Sequence, residues 1–166
     1  LWIDRSSTSY VGLFGAITNA TLRNLVLTNA HVKGSSSVGI LAGLARGNSR
    51  LEYVFTSGSV TCQNTVACDV LGNLGAGSVL NKCGTDARVV SVGWGAAGGL
   101  VYQCDGSISN CYAAGYVKGA YLIAGLVGVQ VGNLSDSYSL STVVATSDIA
   151  GGLVGNNHGT TRRCYS

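Results

Sequence analysis

A short glycine-flanked apolar element recurs along this chain at an almost fixed interval, and that repetition limits what the chain can fold into. Gly125-Leu126-Val127-Gly128 returns as Gly152-Leu153-Val154-Gly155. Looser copies are Gly12-Leu13-Phe14-Gly15 and Gly99-Leu100-Val101-Tyr102, with degenerate ones at Ile40-Leu41-Ala42-Gly43 and Asp69-Val70-Leu71-Gly72. The second residues stand at 13, 41, 70, 100, 126 and 153, at spacings of 28, 29, 30, 26 and 27. A second element follows each first one, clearest at Ile108-Ser109-Asn110-Cys111-Tyr112-Ala113-Ala114-Gly115-Tyr116-Val117. Its leading apolar position maps to Leu22, Leu51, Val79, Ile108 and Leu134, with Thr161 in the sixth copy. Nine residues after it stand Val60, Val117 and Val143, with Val32 and Val89 one residue later.

Each repeat reads as a short apolar strand, a Gly/Asn turn, a second strand and a Gly/Ser turn. No segment sustains a helical spacing with capping signals. One repeat of this length cannot bury its apolar face alone, whereas stacked repeats can. The expected fold is therefore all-β: a β-solenoid (β-helix) of about six coils, 26–30 residues each, without significant helix. Residues 1–9 read as a leading segment or partial coil, and 10–166 as the repeats, the last of them incomplete. With strand neighbours about 4.8 Å apart, six coils make a body roughly 30 Å long. Glycines 12, 99, 125 and 152 in the first strand imply that the opposite wall of the coil comes close at that level.

Composition agrees with a stacked-strand body. There are no prolines among 166 residues, and proline is excluded from central strands because it cannot donate to the ladder. Only 10% of residues are charged, against about a quarter in ordinary domains, so Ser, Thr, Asn and Gly must cover the surface. The net charge of +3 is small and dispersed, which argues against nucleic acid as a partner. No apolar run is long enough to span a membrane. Methionine is absent, so Leu1 reads as the product of processing or as an internal start.

The stretch Gly151-Gly-Leu-Val-Gly-Asn-Asn157 and the pattern Ile108-x-Asn-Cys-Tyr-x-x-Gly-x-Val117 resemble the GLUG repeat family. The resemblance runs from about residue 10 to 166, and departs from the family pattern in the third repeat, at Asp69 and at Cys83 in the tyrosine position. That family occurs in bacterial surface adhesins, in the non-catalytic part of immunoglobulin A proteases and in secreted proteins of some microbial eukaryotes. The resemblance implies an extracellular or cell-surface β-solenoid with no catalytic residue and no cofactor.

Six cysteines at an even count fit an oxidising compartment, and none has the spacing of a zinc knuckle. Cys62 and Cys68 bracket one connector and are expected to close it; Cys83 is expected to reach Cys104 or Cys111 in the neighbouring coil. Cys111 and Cys164 share a repeat position two coils apart, about 10 Å and beyond the roughly 7 Å reach of a disulfide. Cys164 is therefore a candidate junction thiol, free or bonded to a further repeat or second copy. Tyr112, Tyr138 and Tyr165 occupy one repeat position and are expected to stack as an aromatic ladder. Asn19 and Asn133 head sequons in turns and are candidate glycosylation sites.

Catalytic and metal signatures are weak. Gly93-Trp-Gly-Ala-Ala-Gly98 has the form G-x-G-x-x-G, but lacks the helix and acid that a dinucleotide site needs. Asp4, Glu52, Asp69, Asp86, Asp105, Asp136 and Asp148 scatter over repeat positions, so no carboxylate dyad emerges. His31 and His158 have no carboxylate or cysteine at matched positions, and no G-x-S-x-G elbow occurs. The sequence reading is a non-enzymatic structural or adhesive module, a segment or subunit of a surface fibre. Its partners would be itself or further repeats end to end, and surface glycans. The alternative is a carbohydrate-binding or carbohydrate-cleaving β-helix, which needs a groove lined by aromatic and acidic residues, or an accessory region of a larger surface protease.

Overall fold

A computed structural model of the chain describes residues 1–64, 66–68 and 70–166, with the side chains of 66–68 left out. Every paired strand runs parallel to its neighbours, and the strands stack coil upon coil into a β-solenoid of about six turns. No described residue is helical, so no helix is long and apolar enough to cross a membrane.

Each coil has four sides. The first sides are Phe14–Thr18, Ala42–Arg46, Leu71–Leu74, Val101–Cys104, Val127–Gln130 and Val154–Asn157, which form a six-stranded sheet. The second sides include Val79–Asn81, Ser107–Ser109, Asn133–Ser135 and Thr160–Arg162. The third are the longest, among them Gly84–Ser91, Tyr112–Gly119 and Tyr138–Ala145. The fourth include Ala96–Gly98, Leu122–Ala124 and Ile149–Gly151. In the first two coils second and third sides run together in the single strands Thr21–Val38 and Arg50–Cys62. Sides two to four belong to one 14-stranded sheet that folds around the corners. The leading residues are a partial coil: Trp2–Val11 pairs with the later half of Thr21–Val38.

Register makes columns of like residues. Leu41, Val70, Leu100 and Leu126 are fully buried in one column, while Leu13 is 39% exposed and Leu153 packs against the same core. The second column holds Leu22, Leu51, Leu80, Ile108, Leu134 and Thr161. The third coil thus departs from the expected register by one residue, since Leu80 and not Val79 faces inward. Two adjacent apolar residues left the choice open in the sequence, and Val79 lies beside Arg50 and Ser107 instead. Ile3, Val32, Val60, Val89, Val117 and Val143 make a third inward column. The one-residue lag of Val32 is a bulge between Leu27 and Ala30, where Asn29 is left-handed at φ 51°. The interior has two lobes, one under the six-stranded sheet and one centred on the valine column.

The glycines of the first column are required by stacking as well as by the opposite wall. A Cβ on Gly99 would strike the carbonyl oxygen of Gly125, and one on Gly125 that of Gly152. The close approach is first to the next coil; the opposite wall also comes near, with Ser139 Oγ against Gly125 and Ala113 Cβ against Gly99. Gly99→Ala is therefore expected to cost about 3 kcal/mol, the upper range for overpacking, in urea-unfolding measurements. Gly93 is the control: it sits at φ +74° with nothing within 4 Å, so Gly93→Ala is expected to cost about 1 kcal/mol, for left-handed backbone alone.

Candidate functional site

Between the second and third sides each coil turns through one left-handed residue. Asn24, Tyr53, Lys82, Asn110, Asp136 and Arg163 occupy this corner with φ between 50° and 56°. Such a conformation costs a non-glycine residue roughly 1–2 kcal/mol, so something must hold it in place. The residue after the corner supplies part of the answer in four coils. Cys83 Sγ donates to the carbonyl of Asn81 at 3.3 Å, Cys111 Sγ to Ser109 at 3.1 Å, Ser137 Oγ to Ser135 at 2.6 Å and Cys164 Sγ to Arg162 at 3.1 Å. Each bond spans the left-handed residue. The same atoms also tie coils together: the Cys83 amide donates to Cys111 Sγ at 3.4 Å, and the Cys111 amide to Ser137 Oγ at 3.0 Å. Thiol and hydroxyl are thus interchangeable parts of one buried polar column.

Cys83 and Cys111 are neighbours in that column, each 1% exposed. The five cysteines whose side chains are described, Cys62, Cys83, Cys104, Cys111 and Cys164, are free thiols. Cys62 donates to the carbonyl of Ser35 at 2.9 Å; the side chain of Cys68, expected to pair with it, lies outside the described residues. Cys104 belongs to a different column, between Leu74 and Gln130, so of its two expected neighbours Cys83 meets Cys111 alone. Ser137 separates Cys111 from the half-buried Cys164. Burial pushes the Cys104 thiol up to about 12, with the Asp105 carboxylate adding to the effect. Burial likewise holds Cys111 well above the ordinary range.

Outside the corner, the next column holds Val26, Phe55, Gly84, Tyr112, Tyr138 and Tyr165. Gly84, not Cys83, stands at the tyrosine position of the third coil, a consequence of the shifted register. The ring of Tyr112 covers it, and a Cβ there would strike the ring. Tyr112 and Tyr138 stack at 5.5 Å and 11°, Tyr138 and Tyr165 at 5.0 Å and 4°. Asp136 and Arg163, at adjacent corners beside this ladder, form a bidentate ion pair. Of the sequon residues, Asn19 is exposed and accepts a hydrogen bond from the Asn48 amide at 3.0 Å, and Asn133 is exposed at the start of a second-side strand.

The outer face of the third side carries a row that sequence reasoning missed. One column is Trp2, His31, Ser59, Arg88, Tyr116 and Thr142; the column two residues on is Asp4, Lys33, Thr61, Val90, Lys118 and Val144. Trp2 lies 5.1 Å from the His31 ring, tilted by 49°. His31 Nδ1 is 2.8 Å from Ser59 Oγ. Arg88 sits 5.3 Å from the Tyr116 ring centroid, and Lys33 is 3.7 Å from the Asp4 carboxylate. That carboxyl is held below its ordinary value, first by the Ser6 hydroxyl and then by Lys33. Trp2, Ile3, Asp4, His31, Val32, Lys33, Ser59 and Thr61 line a shallow cleft of about 160 Å³. The Ser59–His31 contact is the geometry of an activated hydroxyl, but no carboxylate orients the imidazole among the described hydrogen bonds and salt bridges. Reading each valine's outward neighbours coil by coil would have exposed the row. The partial coil at 1–9 supplies its Trp and Asp.

Half of this chain is similar to a known protein. Over 83 residues, 49% of its length, it is 42% identical to halomucin of Haloquadratum walsbyi (strain DSM 16790 / HBSQ001). The matched part spans about 1% of the length of that relative. No family profile and no solved structure matches the chain.

Two substitutions test the corner column. Cys111→Ser is expected to keep the stability within about 1 kcal/mol, whereas Cys111→Val leaves the buried Cys83 amide without its acceptor and is expected to lose about 1–3 kcal/mol, both by urea unfolding. Cys104 gives a pH test. Folded, it keeps its proton to about pH 12; unfolded, it loses it near the ordinary value of about 8.5. Its contribution is intact below the unfolded value and is lost as pH rises from there through the folded one. The fall in the urea midpoint over that alkaline window is expected to be smaller in Cys104→Val.

Proposed function

We infer that the chain is an extracellular structural or adhesive repeat module, a stretch of a surface fibre and not an enzyme. The observation that carries this reading is the parallel stack, in which coil after coil presents the same left-handed corner and the same core columns. Such an architecture is quasi-one-dimensional: each coil contacts its neighbours, and length is added without redesigning a core. Rigidity along an axis and a core that extends by repetition are what a fibre or adhesin stalk requires. The likeness to part of halomucin, a protein named as a mucin, supports a place outside the cell. The Gly-Gly-Leu-Val-Gly and Asn-Cys-Tyr motifs support membership of the GLUG repeats. The exposed Asn19 and Asn133 would carry glycans in a eukaryotic source, and further repeats or a second copy would continue the stack.

Surface placement is directly testable. Antibodies raised against the folded chain are expected to label intact cells of the source organism, with filamentous or coat-like labelling by immunogold electron microscopy. Labelling confined to permeabilised cells would overturn the extracellular reading.

A further inference from the structure

We propose that the outer face of the third side binds an acidic polysaccharide laid along the solenoid axis. The proposal deepens the adhesive reading above, on which it rests, by naming the chemistry of the partner.

Three observations carry it. The first is geometry. The two outer columns run straight across six coils, at a step of about 4.8 Å per coil. That step is close to the length of one sugar unit in an extended polysaccharide, so successive units meet successive coils. The second is the aromatic surface. Trp2 is 78% exposed and Tyr116 lies four coils away on the same column. The open indole face of Trp2 takes the C–H face of a sugar, while the Tyr116 ring, half-buried under Arg88, holds that side chain on the same row. The cleft beside Trp2 is smaller than the roughly 300–1,000 Å³ of drug-sized sites; it fits one sugar ring or its substituent, with the Ser59 and Thr61 hydroxyls on its wall.

The third observation is charge, which selects the class of sugar. Lys33, Arg88 and Lys118 all project from this face, with the His31 ring among them. The carboxylates facing them are Asp4, already within 3.7 Å of Lys33, and Asp86, one outward position before Arg88. Arg88 is aligned on Tyr116, which leaves the guanidinium edge to donate to a carboxylate while the ring supports its plane. On a chain with only ten Lys and Arg, three on two adjacent columns form a cationic strip. Uronate carboxylates, spaced along a polymer, match cations spaced along coils, whereas a neutral glucan would leave them unused.

Affinity electrophoresis of the whole chain through gels containing polygalacturonate, with dextran gels as the neutral comparison, tests this. Retardation by polygalacturonate at low salt and its loss in about 0.5 M NaCl are expected. The double variant Arg88→Gln/Lys118→Gln and the single variant Trp2→Ala are each expected to weaken the affinity about tenfold, with unchanged far-UV circular dichroism because all three side chains lie on the outer face. Arg46→Gln, on the first side, is expected to leave it unchanged. Absence of retardation, equal retardation by dextran, or indifference to the face variants would overturn the proposal. Single-stranded DNA competing as well as polygalacturonate would also overturn it, marking a general polyanion surface. Surface labelling can fail while polygalacturonate binds, or succeed while it does not, so the two readings fall separately.

Discussion

The backbone hydrogen bonds that pass from each coil to the next, always parallel and in register, determine the rest of this structure. A parallel ladder places residue upon residue. A valine at one inward position therefore sits on a valine 26–29 residues away, from Val32 through Val60, Val89 and Val117 to Val143. A slip of one residue would turn each column from the core to solvent. The glycines follow from the same constraint. Gly12, Gly99 and Gly125 stand where one coil's backbone passes over the next, and the carbonyl above fills the space that a side chain would need.

Corners are where such a ladder is weakest, because the backbone must leave the strand direction and some groups lose their partners. Here the cost is met by a side chain one residue beyond the bend. A thiol or hydroxyl donates back across the left-handed residue and accepts from the coil before it. This accounts for cysteines at 83, 111 and 164 sharing a column with Ser137. A small buried donor is what the site demands, and both residue types provide one. In the first two coils Leu25 and Val54 hold the position, and at the second of these corners Tyr53 is tied instead to the next corner, its hydroxyl accepting from Lys82 Nζ at 2.9 Å.

The periodicity of the chain made the fold legible, since two motifs drifting together in spacing define a stack whatever the details of each coil. Within a coil, legibility depended on how distinctive each residue was. Tyr112, Tyr138 and Tyr165 announced their own row. Val79 and Leu80 did not, because both are apolar and only the pairing of Leu80 with Leu51 and Ile108 separates them. That single-residue ambiguity put Cys83 in the tyrosine column, and left Cys104 as open a neighbour for it as Cys111. The Trp2 to Thr142 row was invisible for another reason: its members share no residue type, and Trp2 comes from a segment with no repeat motif. Position in the ladder unites them, not chemistry, and sequence displays chemistry first.

Inner and outer columns therefore answer to different constraints. An inward position must match the coils above and below it in volume, because the interior is close-packed; this keeps Leu on Leu and Val on Val. An outward position on a parallel sheet has to avoid like charges directly opposite, and otherwise is free to vary. The third side uses that freedom in an ordered way, placing Trp2 against His31, Asp4 against Lys33 and Arg88 against Tyr116. Each contact joins two coils and leaves part of both side chains to solvent. A solenoid of this kind can thus keep its core periodic, and so its length extensible, while its outer rows acquire a pattern specific to one stretch of the stack. Specificity in such a molecule belongs to the order of outward residues along the axis, and it is legible only once the register of the inward ones has been fixed.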